Sequence, residues 1–202
     1  MKLIAFVGID GAGKTSILNA VYSILAAQRK KIARLKPASG NTEIAKTLRL
    51  IRNAYSHKDK QQQREINQKI AEVLAVDLLK TSERIKEMYS SYDYVLVDRW
   101  TMCQEVYDKT WLVWNSFINE CLALCYKPDM VFLISAEMDL VQKRLSNRPV
   151  VKETENILSL KRVNRLYHSL AKENGWIVIK NNQRLDDAVS IVYNKLLEEP
   201  HV

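Results

Sequence analysis

Gly8-Ile9-Asp10-Gly11-Ala12-Gly13-Lys14-Thr15-Ser16 is the stretch that decides the fold. It satisfies GxxxxGK[ST], follows the apolar run Leu3 to Val7, and opens a segment with helical periodicity from Lys14 to about Arg29. In that strand-turn-helix setting the glycines let successive backbone N–H groups curl round an anion. The helix N-terminus adds its positive end to the attraction. Gly8, Asp10, Gly11, Ala12, Gly13, Lys14, Thr15 and Ser16 are therefore read as an ATP phosphate cradle, with Lys14 reaching the outer phosphates and Thr15 ligating Mg²⁺.

Outward from this loop, short apolar runs alternate with long helix-period segments, the pattern of a parallel sheet covered by helices on both faces. Five strands are expected: Leu3 to Val7, Lys31 to Leu35, Tyr94 to Val97, Met130 to Ser135 and Trp176 to Ile179. The helical patterns run from Lys14 to Arg29, Thr42 to Asn53, Gln62 to Met88, Cys103 to Cys125, Asp139 to Asn147, Glu155 to Glu173 and Asp186 to Glu198. The expected class is an α/β P-loop fold, as one domain over residues 1–202 with a short lid at about 145–155.

Composition narrows the partners. Against 23 Asp plus Glu stand 31 Lys plus Arg, a formal charge of +8 that favours anions, although much of it falls on helix faces open to solvent. The three cysteines, Cys103, Cys121 and Cys125, show no CxxC spacing and read as reduced thiols of a cytoplasmic chain. No run approaches the roughly eighteen apolar residues that span a bilayer, so no membrane partner is expected.

Tyr94-Val95-Leu96-Val97-Asp98 is an apolar strand ending in a carboxylate, suited to holding the Mg²⁺ shell opposite the phosphate loop. Hydrolytic ATPases often follow that Asp with a Glu that activates water. Arg99 stands there, a cation fit for a second phosphate-bearing substrate. Transfer between phosphates is favoured over hydrolysis, and the missing Asn-Lys-x-Asp argues against a GTPase.

FVGIDGAGKTS, GNTEIAKTLR, VLVDRW followed by TMCQEVYD, PDMVFLISAE and KRLSNRP, in that order, resemble the thymidylate kinase family over nearly the whole chain. The resemblance implies transfer of the γ-phosphoryl of MgATP to a nucleoside monophosphate, dTMP or a relative. By position, Asp10 would accept from the acceptor's sugar hydroxyl, Arg49 and Arg99 would hold its phosphate, and Gln104 and Tyr107 would face the base and sugar edge. Arg144 is similar in position to an arginine packed near adenine, and Gly11 places the chain with members whose lid supplies the catalytic cation, here Arg148 or Lys152. The resemblance also implies a homodimer.

The chain departs from the family at the base. Arg34-Leu35-Lys36-Pro37-Ala38-Ser39-Gly40 stands where the family has Arg-Glu-Pro-Gly, so the glutamate is missing and a lysine stands near its place. Leu74 and Leu78 occupy the places of a stacking Phe and a base-bonding Arg. A leucine supplies an apolar wall and no hydrogen bond. Two other readings stay open: a nucleoside or other small-molecule kinase on the same fold, and a non-catalytic nucleotide-binding regulator. Nucleic-acid binding is not expected, since Trp111, Trp114 and Phe117 share a roughly helical spacing that points to packing.

Overall fold

The computed structural model describes residues 1–37, 43–147 and 156–198. Its five strands are β1 (Lys2–Val7), β2 (Ile32–Leu35), β3 (Tyr94–Asp98), β4 (Met130–Ser135) and β5 (Ile177–Lys180). They form one sheet in the order β2-β3-β1-β4-β5. Every pairing is parallel, with Phe6 beside Asp98 on one flank of β1 and beside Phe132 on the other. β1, β3 and β4 read as unbroken apolar runs because they are central and covered on both faces, and Leu3 to Val7 are fully buried.

Among the described residues eight helices connect and cover the strands: α1 (Lys14–Ala27), α2 (Glu43–Ala54), α3 (Lys60–Glu87), α4 (Thr101–Thr110), α5 (Ser116–Ala123), α6 (Met138–Ser146), α7 (Ile157–Asn174) and α8 (Leu185–Glu198). The step from β1 to β2 runs one way along the sheet, and the steps to β3, β4 and β5 run the other. Right-handed crossovers therefore place α1 on one face and α2 to α7 on the opposite one. α8 returns to pack on α1. The reversal of direction falls at β1, and it opens the crevice beyond the strands' C-terminal ends where such folds bind ligands.

One expected helix is two. The periodicity from Cys103 to Cys125 is broken after Thr110: Leu112 takes a left-handed φ of 58°, and the Asn115 side chain caps α5 by accepting from the Ile118 N–H at 2.9 Å. Asn is a strong N-cap, and its local bond outcompetes a continuous helix. Trp111 and Phe117 consequently lie on different elements and remain 42% and 47% exposed, so the aromatic spacing does not form a core stripe. The long helix expected from Gln62 starts earlier, because Asp59 caps α3 and the helix begins at Lys60.

Candidate active site

The loop between β1 and α1 is closed by glycine geometry. Gly8 has φ 133°, and a Cβ there would stand 2.3 Å from the Ile134 carbonyl oxygen on β4. Gly13 has φ 101°, with Asn181 Nδ2 2.2 Å from where its Cβ would be. Neither position admits a side chain without moving backbone or a buried amide. Asn181 follows β5, is 3% exposed, and donates to the Ala12 carbonyl at 2.7 Å. Arg144 on α6 donates to the Gly11 and Ala12 carbonyls at 3.3 Å each and to that of Asn181 at 3.0 Å. An open groove of about 420 Å³ lies here, lined by Gly11, Gly13, Ser16, Arg144, Asn181 and Gln183 among others.

Lys14 is 5% exposed and donates from Nζ to the Ile9 carbonyl at 2.8 Å. Burial, with help from the Arg99 guanidinium, brings its pKa down to about 8, against the opposite pull of Asp10 and Asp98. An ammonium so desolvated gains most from an arriving polyphosphate.

At the end of β3, Asp98 is 3% exposed. Its Oδ2 accepts from the Thr15 hydroxyl at 2.5 Å and pairs with Lys36 Nζ at 3.2 Å. Its Oδ1 is buried and has no hydrogen-bond partner among the described residues. A carboxylate oxygen left over beside a threonine hydroxyl is the hard oxygen set that Mg²⁺ takes when phosphates supply its remaining ligands. No cluster of three His, Cys, Asp or Glu side chains suited to a metal occurs among the described residues. The donors therefore fit a nucleotide-borne Mg²⁺ and no all-protein cage.

Arg99 takes a left-handed φ of 79°, a conformation uncommon outside glycine, while its N–H donates to the Phe6 carbonyl at 3.0 Å. The turn directs the guanidinium across to β1's loop, where it forms an ion pair with Asp10. It also lies 5.7 Å from the centre of the Tyr107 ring. Burial alone would pull its pKa down, but Asp10 and Tyr107 outweigh it and hold the charge well above the ordinary value. The Tyr107 hydroxyl is buried without a partner among the described residues, and burial pushes its pKa up to about 12. Beneath it lies Tyr167 of α7, fully buried, its phenol also raised by burial and by Cys103.

On the far side of the cleft, Gln104 donates to Asp108 Oδ2 at 2.6 Å and to the Ala71 carbonyl on α3 at 3.5 Å. Burial raises Asp108 to about 7, opposed by the Gln104 hydrogen bond and by Arg52 of α2. Arg49 is exposed on α2, Leu74 is half-buried on α3, and Leu78 is 1% exposed within the main core. Arg148 and Lys152 lie outside the described residues, as do most positions of the 145–155 lid.

Because the folded pKa of Asp108 exceeds its unfolded value of 3.8, its contribution is fully present below that pH and is lost as pH rises toward 7. Asp108→Asn keeps an acceptor for Gln104 and removes this loss. Its stability, read from thermal melts, should exceed that of the parent at pH 8 and not at pH 4, by about 4 kcal/mol at most. Equal shifts at both pH values would refute the assignment.

Of the residues expected from the sequence, the structure brings Asp10, Lys14, Thr15, Asp98, Arg99 and Arg144 together around one loop. Sequence reasoning gave no partner to Lys36 and overlooked Asn181, Asp108 and Tyr167. Asn181, an Asn-Asn pair just past a strand, and Asp108, one turn beyond Gln104, were visible signals. Tyr167 had none, since its helix face reads as core.

A phosphate cradle, an orphaned carboxylate oxygen beside a threonine and a half-buried Arg–Asp pair across the crevice define a P-loop phosphotransferase. The thymidylate kinase family model matches residues 6–192. The chain belongs to the thymidylate kinase family. It is 28% identical over 194 residues to a probable thymidylate kinase of Methanocaldococcus jannaschii, covering 96% of this chain and 93% of that one. To a thymidylate kinase of Legionella pneumophila it is 26% identical over 205 residues, covering 98% and 94%. The solved structure of thymidylate kinase from Candida albicans matches with a TM-score of 0.72 at 13% identity, over 97% of this chain and 91% of that one, which shows a shared fold. Among the described residues no helix is long and apolar enough to cross a membrane.

Proposed function

We propose that the chain transfers the γ-phosphoryl group of MgATP to dTMP or a closely related nucleoside monophosphate. The observation that carries this reading is Arg99, set by its left-handed turn against Asp10 rather than a water-activating carboxylate at the same place. Phosphoryl transfer asks of the protein mostly positioning and charge stabilisation. Lys14 and the loop N–H groups hold the donor phosphates, and Arg144 borders the groove on the adenine side. Thr15 and Asp98 hold Mg²⁺, which when bound supplies positive charge to the donor phosphates. Arg99 and Arg49 bind the acceptor phosphate, Asp10 orients its sugar, and Gln104, Tyr107 and Leu74 flank sugar and base, while Leu78, expected from the sequence to join them, lies within the main core. Arg148 or Lys152 supplies the lid's cation. The reading treats the chain as one cytoplasmic kinase domain.

The base remains the discriminating question, because Leu78 is sealed in the core and donates nothing to a pyrimidine carbonyl. Incubation with MgATP and a panel of nucleoside monophosphates and nucleosides should produce ADP with dTMP or a close relative. ADP only with nucleosides would favour the small-molecule kinase reading, and none with any acceptor the regulatory one. The same proposal includes a homodimer: Val73 and Val76 on α3, Phe117 on the adjoining α5 and Leu124 at its C-cap are 41–66% exposed apolar side chains.

A further inference from the structure

We propose that Lys36 is an exchangeable counter-ion for Asp98, holding that carboxylate while the divalent metal is absent and yielding it when the metal arrives with ATP. The proposal rests on the reading of Thr15 and Asp98 as the metal site. A carboxylate 3% exposed needs a countercharge. The two nearest buried cations are engaged elsewhere, Lys14 Nζ on the Ile9 carbonyl and Arg99 on Asp10. Lys36, one residue past β2 on the strand flanking β3, reaches Asp98 Oδ2 at 3.2 Å.

Three features suit it to leave. The Lys36 side chain is 42% exposed against 4% for that of Asp98, so water waits at one end of the pair and not at the other. Its ammonium is a strongly hydrated point charge on a flexible stem, without the fixed fork that would lock an arginine in place. It pairs with Oδ2 and leaves the buried Oδ1 without a hydrogen-bond partner among the described residues, so the carboxylate keeps one oxygen uncommitted for a metal. A divalent ion and an ammonium on one small carboxylate repel each other strongly, and the more mobile charge gives way. The consequence is that metal binding is coupled to displacement of a charge just past the strand end, and the Asp98 carboxylate is kept paired while the metal is absent.

The test is ATP affinity, by calorimetry, with excess EDTA and with excess Mg²⁺, and without any acceptor. Wild type, Lys36→Met and Lys36→Arg are compared. Removing the competing charge should enlarge the Mg²⁺-dependent gain in ATP affinity about tenfold in Lys36→Met, discounted for the exposed lysine. Lys36→Arg should keep the wild-type gain or fall below it. An unchanged gain in a folded Lys36→Met protein, or a Lys36→Arg protein that behaves like Lys36→Met, overturns the proposal. Should Lys36→Met fail to fold, Lys36→Gln carries the same comparison. Since no acceptor is present, this result is independent of whether the acceptor is dTMP.

Discussion

Lys14→Ala is expected to lower kcat for ADP formation by about three orders of magnitude, with a weaker loss in acceptor KM. The reason is that the ammonium is already desolvated, at 5% exposure, and donates to the Ile9 carbonyl. Its charge is worth more on a migrating phosphoryl group in that dry setting than a solvated lysine's would be. The pKa of about 8 adds a second readout. ATP affinity of the parent should fall as pH rises through 8, whereas that of Lys14→Ala should not. The stability sign is opposite: the folded chain binds fewer protons than the unfolded one between about 8 and 10.5, so ligand-free stability rises with pH across that window. A steady-state assay with MgATP and the best acceptor checks the first claim. Activity within tenfold of wild type would remove Lys14 from the catalytic set.

Arg99→Ala should raise the acceptor KM by about 100-fold, the upper range for a lost charge-assisted bond to phosphate, while the MgATP dissociation constant changes less than about threefold. On the proposed reading the guanidinium serves the acceptor: it pairs with Asp10 and lies over the Tyr107 ring, and among the described residues it makes no hydrogen bond to the loop carbonyls or to Asp98. Lys14 would also feel the change, since Arg99 is among the causes that lower its pKa. A Lys14 titration shifted upward in Arg99→Ala would accompany the KM effect. An acceptor KM equal to wild type would show that Arg99 serves only to hold Asp10.

Much of the site was legible because it is local. Gly8 to Ser16 is one contiguous turn, and its glycines are required by positive φ and by close approach to β4, so the spacing alone locates the phosphates. Asp98 and Arg99 could be placed because a buried parallel strand has one outlet, its C-terminal end. The break after Thr110 was hidden, since aromatic spacing mimics a helix and the Asn115 cap competes only over a few residues. Arg148 and Lys152 remain sequence readings, as they lie outside the described residues.

What the sequence determined by itself is the P-loop, the parallel α/β order and the transfer chemistry implied by Asp98-Arg99. These follow from period, turn residues and nearest neighbours along the chain. Only the tertiary structure decided which charges meet. Lys36 and Asp98 are 62 positions apart and Asp10 and Arg99 are 89, yet each pair is joined because β2, β3 and β1 lie side by side. The same holds for Leu78, whose replacement of a base-reading arginine was visible in the sequence, but whose burial away from the cleft was set by how α3 packs against the sheet's core. Strand order carries no local signature, and it is strand order that assembles this site.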